Sequence, residues 1–198
     1  AEKGFTLGML TYDQATAERS KVSLGLLQVI GTEAKPQAPE PAKAAAAPSA
    51  KKVQLLSAAP LDQSRLLLGK EYRELKKKWK QGEQREGLVL LEKEESVDLE
   101  TLQIAINRKP TILHFSGHGG DDGIMLMNEH DQAVPFRDDD LDTLFQRLTG
   151  ITEIVILNAC FSTRQASLIS YHGIYAIGAS KAILDDACIT FSKRFHGA

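Results

Sequence analysis

Two stretches limit what this chain can fold into. Ile112-Leu113-His114-Phe115 runs into Ser116-Gly117-His118-Gly119-Gly120, and Ile154-Val155-Ile156-Leu157 runs into Asn158-Ala159-Cys160-Phe161-Ser162. Each is a short apolar, partly β-branched run that stops abruptly at small and polar residues. A run of this kind reads as a strand buried on both faces, as in a parallel sheet, ending where it reaches the sheet's edge. Parallel strands cannot be joined by hairpins. Each needs a crossover, usually a helix, so strands and helices must alternate along the chain.

From Lys52 onward they do. Strands are predicted over Val53–Ala58, Leu88–Leu91, Thr111–Ser116, Glu153–Asn158 and Tyr175–Gly178. Between them helices are predicted over Leu61–Glu83, Asp98–Asn107, Asp138–Leu148 and Thr163–Ser170, with a last one from Asp185. The first helix carries Leu67, Leu68, Tyr72, Leu75 and Trp79 on one face, and its Lys76-Lys77-Lys78 run reads as the solvated face opposite. Gly123–Met127 and Ala133–Phe136 flank Asn128-Glu129-His130-Asp131 and read as a β-hairpin inserted after the third strand. The fold class is α/β: a three-layer sandwich, mostly parallel, with helices on both faces of the sheet. In such sheets ligands bind at the carboxyl ends of the strands, near the topological switch point.

Ahead of this pattern, residues 1–30 read as a helical segment. An amphipathic helix over residues 9–30 is capped by Thr11 and carries Leu10, Ala15, Val22, Leu26, Leu27 and Ile30 at helical spacing. Such a helix must pack on something to hide its apolar stripe. Residues 31–50 hold Pro36, Pro39, Pro41 and Pro48 among many alanines and read as a linker. Residues 51–198 then form the main domain.

Twenty-four lysines and arginines against 26 aspartates and glutamates give a formal charge of -2, which argues against nucleic acid or an anionic membrane as the partner. No apolar run approaches the ~18 residues of a membrane span. Two cysteines in unlike contexts do not make a disulfide framework and favour a reducing, cytoplasmic setting.

The two strand ends carry chemistry. Neighbouring parallel strands lie ~4.8 Å apart. If these two pair, His118 and Cys160 come within reach of each other. A thiolate is a working nucleophile, and an adjacent imidazole can deprotonate the thiol and later protonate a leaving amine. Gly117, Gly119 and Gly120 leave backbone N–H groups free to face an oxyanion, with the N–H of Cys160 as a second donor. The competing reading is a buried structural cysteine beside a core histidine.

His114 lies four residues before His118. On a strand the two are ~13 Å apart and cannot share a metal ion. His114 is expected to buttress the site, together with Ser116, Gly117 and Asn158. Neither a metal nor a cofactor is expected. Arg164 follows Cys160 too closely for a phosphate-wrapping loop. Cys188 has small and apolar neighbours and is expected in the core. No role falls to His130, His172 or His196.

The motifs His114-Phe115-Ser116-Gly117-His118-Gly119 and Leu157-Asn158-Ala159-Cys160-Phe161-Ser162 resemble the two signatures of CHAT domains, caspase-like cysteine peptidases related to caspases and separase. Val53-Gln54-Leu55-Leu56-Ser57-Ala58-Ala59-Pro60-Leu61-Asp62 and Ile177-Gly178-Ala179-Ser180 with Asp185-Asp186-Ala187 are similar to the same family, so the resemblance covers residues 52–198. It implies a caspase-like sandwich and a cysteine endopeptidase acting on a protein substrate. His118 is then the base, Cys160 the nucleophile, and Gly119 and Cys160 the oxyanion donors. Asp185 matches an acidic position that in related enzymes holds a basic P1 side chain; the alternative is that Asp185 only caps the last helix. Lys181 departs from the family pattern. The resemblance also implies a further helix past Ala198.

Residues 11–22 are weakly similar to the end of a bacterial effector-associated adaptor domain, which implies an adaptor partner and a signalling or defence role. The rival class is a catalytically silent caspase-like interaction module. A flavodoxin-like receiver shares the layering, but Ser57-Ala58-Ala59-Pro60 stands where it would carry an acidic cluster.

Overall fold

Among the described residues, the strand Leu27–Ile30 (β1) comes first. Then come Lys51–Ala58 (β2), Leu68–Gln81 (α1), Leu88–Leu90 (β3), Leu99–Asn107 (α2) and Ile112–Gly117 (β4). Gly119–Gly120 (β5), Gly123–Met127 (β6), Ala133–Phe136 (β7) and Asp138–Leu148 (α3) follow. Ile154–Asn158 (β8), Thr163–Tyr171 (α4), Tyr175–Ala179 (β9) and Asp185–Phe195 (α5) complete it. These come from a computed structural model, which describes residues 27–30, 50–81 and 87–197.

Among the described residues the main sheet has six strands in the order β1-β9-β8-β4-β2-β3, all parallel except β1, which runs antiparallel to β9. A small second sheet, β5-β6-β7, holds the hairpin. The α/β class and the insertion after the third strand of the alternating pattern are as the sequence predicts. From β2 the chain steps outward to β3, then returns to place β4 on β2's other side. The switch point therefore lies between β2 and β4.

Both faces of the sheet are covered, each by its own apolar cluster. Leu56, Leu113, Phe115, Val155 and Leu157 point toward α2, α3 and α4, meeting Leu102, Leu141, Phe145 and Ile169. Val53, Leu55, Ile112, Ile156 and Ile177 point the other way, meeting Leu75 of α1 with Tyr72, Trp79, Phe191 and Phe195 at the margin. The period-two alternation of β4 puts Leu113 and Phe115 on the first face, and Ile112 and His114 on the second. Each fully buried Leu, Ile or Phe contributes ~1.5–3 kcal/mol, so two such layers hold the strand ends on a rigid platform.

The register aligns those ends. Ile112 pairs with Ile154, and so on to Ser116 with Asn158. His118 and Cys160 each lie two residues beyond that last pair.

Two expectations need correction. The first helix begins at Leu68, not Leu61. Residues 61–67 form an irregular strap across the carboxyl edge of the sheet. Its backbone is satisfied from outside: Leu61 N donates to Asp131 O at 2.8 Å, and Leu67 N donates to the Asp185 carboxylate at 2.9 Å. Asp62 reciprocates by accepting from Ala133 N at 2.9 Å. These tertiary bonds replace what a helical turn would have supplied. The second correction concerns the predicted helix over residues 9–30, whose last four residues are β1. An edge strand such as β9 presents unpaired N–H and C=O groups, and Leu27-Gln28-Val29-Ile30 suits pairing with them. The rest of that segment and the linker over 31–49 lie outside the described residues. Among the described residues no helix is long and apolar enough to cross a membrane.

Candidate active site

Beneath the strap, the carboxyl ends of β4 and β8 and the first turns of α1 and α5 enclose a pocket. Its lining includes Leu67, Glu71, His118, Asn158, Cys160 and Asp185. His118 and Cys160 thus share one depression, as the strand-end pattern predicts.

The His118 ring has its Nε2 at 2.8 Å from the carbonyl oxygen of Ser64, in the strap. A carbonyl only accepts, so Nε2 carries the proton of the neutral ring, and Nδ1 keeps its lone pair. One bond sets both the tautomer and the orientation of the ring.

Cys160 is partly buried and lies against Ile183, whose N–H points at Sγ from 3.4 Å. The turn that presents it is locked on three sides. Phe161 sits at φ 53°, a left-handed conformation that costs a bulky residue of order 1 kcal/mol and turns the strand sharply into α4. Ser162 Oγ lies 2.8 Å from Ala159 O and accepts from Ala179 N at 2.9 Å. Gly119 packs directly on the Cys160 backbone, where a Cβ would collide with the Cys160 carbonyl oxygen. Gly117 is also closely fitted, against Ala58 O at 2.9 Å and the ring of Phe115 at 2.8 Å from a built Cβ.

Asp185 is the first residue of α5, and the cap position belongs to Leu184. The Asp185 carboxylate does not bond its own helix's first turn. It reaches the strap at Leu67 N instead.

The predicted support residues divide into two groups. Gly117 and Asn158 line the pocket, while His114 and Ser116 lie beside it in an adjoining depression. His114 is 1% exposed, and burial pushes its ring down to about 3, so it is neutral. Its Nδ1 lies 2.8 Å from Nε2 of His196, and its Nε2 faces Glu71 Oε1 at 3.6 Å. Glu71 accepts from Asn158 Nδ2 at 2.8 Å and from the hydroxyl of Ser192. A polar chain therefore runs from α5 through His114 and Glu71 to the end of β8.

Two residues set aside in the sequence belong here. His196 is 3% exposed and stacked on His114, not frayed, because α5 folds its last turn over α1. Cys188 is not a core residue: it lines the pocket from α5. Its thiol is pushed up to about 12 by burial and by the nearby carboxylates of Glu71 and Asp185. His172 pairs with Asp142 at 2.8 Å, between α4 and α3, and His130 is exposed at the hairpin tip. Sequence reasoning missed Glu71, Ser64 and Ile183. Glu71 left one signal, a carboxylate on the Leu67–Leu75 stripe where an apolar residue would suit better. The backbone contacts of Ser64 and Ile183 left none. Among the described residues, no group of three or more metal-ligating side chains is gathered in one place.

The neutral state of His114 carries a pH dependence. Its folded value lies below the unfolded value near 6.5, so the unfolded chain binds the extra proton first, and stability is lost as pH falls below ~6.5. Between pH 7.5 and pH 5.5 the loss from this ring is expected to be about 1.4 kcal/mol. Urea midpoints at the two pH values, compared with those of His114→Gln, check it; equal slopes in the two proteins would refute it.

The CHAT domain family matches the chain over residues 13–184. The chain belongs to the CHAT domain family. CHAT domains are caspase-like cysteine peptidases as a family, and both strand-end motifs lie inside the match. The CHAT match opens ahead of β1 and runs through the residues read as a linker, and it closes one residue before Asp185. A comparison with curated proteins gives no significant match.

Proposed function

We propose that this CHAT domain is a cysteine endopeptidase. The observation that carries the reading is the bond from His118 Nε2 to the Ser64 carbonyl. It leaves Nδ1 as the basic nitrogen in the pocket that Cys160 shares. In this mechanism Nδ1 takes the thiol proton as Sγ attacks the scissile carbonyl carbon. The N–H groups of Gly119 and Cys160 receive the oxyanion. The imidazolium, steadied by the Ser64 carbonyl, returns its proton to the leaving amine, and a thioester remains on Cys160. Water deprotonated by the same Nδ1 hydrolyses the thioester, freeing the acid and the thiol. The Gly119 contact supports the oxyanion assignment, since it packs that glycine's backbone against the nucleophile's own.

Asp185 lies in the same pocket and supports a basic P1 side chain, which it would hold by a charge-assisted hydrogen bond. The substrate in this reading is a protein. The chain would be the protease part of a bacterial signalling or defence effector, cytoplasmic and recruited through an adaptor partner at its N-terminal side, as the family resemblance implies.

The test is a fluorogenic tetrapeptide panel varied at P1. Arg and Lys peptides are expected to turn over at least tenfold faster than Leu, with Asp185→Asn reducing that preference about tenfold, in line with ~1.5–3 kcal/mol for a hydrogen bond to a charged group. Equal turnover of Arg and Leu peptides removes the role given to Asp185. No turnover of any peptide, with Cys160 intact, removes the peptidase reading.

A further inference from the structure

The pocket contains a second carboxylate. Glu71 lies on α1 and lines the same depression as Cys160 and Asp185. It is 4% exposed, and no lysine or arginine pairs with it among the described residues. The donors that reach it, Asn158 and Ser192, both go to Oε1, and no donor to Oε2 is present among the described residues. The neighbouring His114 is neutral and supplies no countercharge. An oxygen without a donor of its own is an acceptor that a ligand N–H can satisfy. Asp185 is less buried and bonded to the strap, so the two carboxylates mark the mouth and the floor of one cavity. Cys188 sits between them, close enough to both that their charges help to hold its thiol protonated.

We propose that Glu71 is the floor of the P1 pocket and, with Asp185, selects arginine over lysine. This rests on the peptidase reading and names its substrate class. A guanidinium offers five N–H donors in a planar fork and can serve two carboxylates at once, one at each side. An ammonium is a compact, strongly hydrated point charge and satisfies one of them well. The single free oxygen on Glu71 and the partly occupied carboxylate of Asp185 suit the fork.

The test needs no turnover. Iodoacetamide alkylation of Cys160 is followed by site-resolved mass spectrometry, with Cys188 as the internal slow thiol. Agmatine mimics an arginine side chain, pentane-1,5-diamine a lysine, and N-butylurea a neutral isostere. In the unaltered chain agmatine is expected to protect Cys160 at a concentration at least ~tenfold below that of the diamine, with no protection by N-butylurea; tenfold corresponds to about 1.4 kcal/mol. In Glu71→Gln, which keeps an acceptor for Asn158 and Ser192, the half-protective concentration of agmatine should rise about tenfold. Equal protection by agmatine and diamine in the unaltered chain overturns the proposal without any variant having to fold. So does an unshifted agmatine concentration in Glu71→Gln. If the protection pattern holds but no Arg peptide is cleaved, the peptidase reading fails and the pocket stands. If Arg peptides are cleaved and Glu71→Gln changes nothing, the pocket fails alone.

Discussion

Cys160→Ala is expected to lower peptide cleavage by about 10⁴-fold or more while leaving the fold intact. The size follows from the chemistry. Without a nucleophile no acyl intermediate forms, and what survives is the modest help of binding and oxyanion donors. The structural cost is small because the polar contacts of Sγ are long ones to the Ile183 backbone and the side chain is not part of either apolar cluster. The thermal midpoint should move by no more than a few degrees, the equivalent of ~1 kcal/mol or less. A residual rate within tenfold of the unaltered chain would remove Cys160 from the mechanism. A variant that folds and binds but does not cut is also the natural bait for the missing substrate.

The second large effect comes from a single methyl group. In Gly119→Ala the new Cβ would meet the Cys160 carbonyl oxygen, with Ala159 Cβ at 3.1 Å and Cys160 N at 3.3 Å behind it. None of these is the yielding end of a flexible side chain. The two strand ends must move apart, and a misplacement of order 1 Å between reacting groups costs about 100-fold in rate. Peptide turnover should therefore fall about 100-fold, while circular dichroism still shows the sheet. Gly150→Ala is the contrast. Gly150 holds φ +74° but has nothing within 4 Å of a built Cβ. Its replacement should cost ~1 kcal/mol of stability and leave turnover alone. Full activity in Gly119→Ala would mean that the close packing of the two motifs is irrelevant to the chemistry.

Much of this is legible in the sequence. The hairpin bounds at Gly123–Met127 and Ala133–Phe136 and the helix over Asp138–Leu148 coincide with the structure, because local periodicity and turn residues decide them. The strand-end positions of His118 and Cys160 were equally legible, since apolar runs that stop at glycine or a small polar residue mark their own ends. Three features were not. Residues 61–67 continue the apolar period of α1 backwards, and bonds to His118, Asp131, Ala133 and Asp185, distant in sequence, hold them out of the helix. Leu27–Ile30 suits a helix or a strand alike, and the open edge of β9 decides between them. The Glu71–His114–His196 chain is a meeting of α1, β4 and α5; the carboxylate on the apolar stripe of α1 is its one local sign, and nothing in β4 or α5 names its partners.

The strap has one more consequence. The tautomer of His118 is set by a carbonyl on a segment with no regular structure, while the residue itself directly follows β4, a strand buried along its whole length. The two have different local stabilities. Opening the strap breaks only a few hydrogen bonds, whereas separating β4 from β8 requires global unfolding. Lifting the strap would release the imidazole, uncover Asp185 and leave the platform unchanged. In the peptidase reading, competence for catalysis is thus a separate equilibrium from folding, and the chain can lose the first while keeping the second.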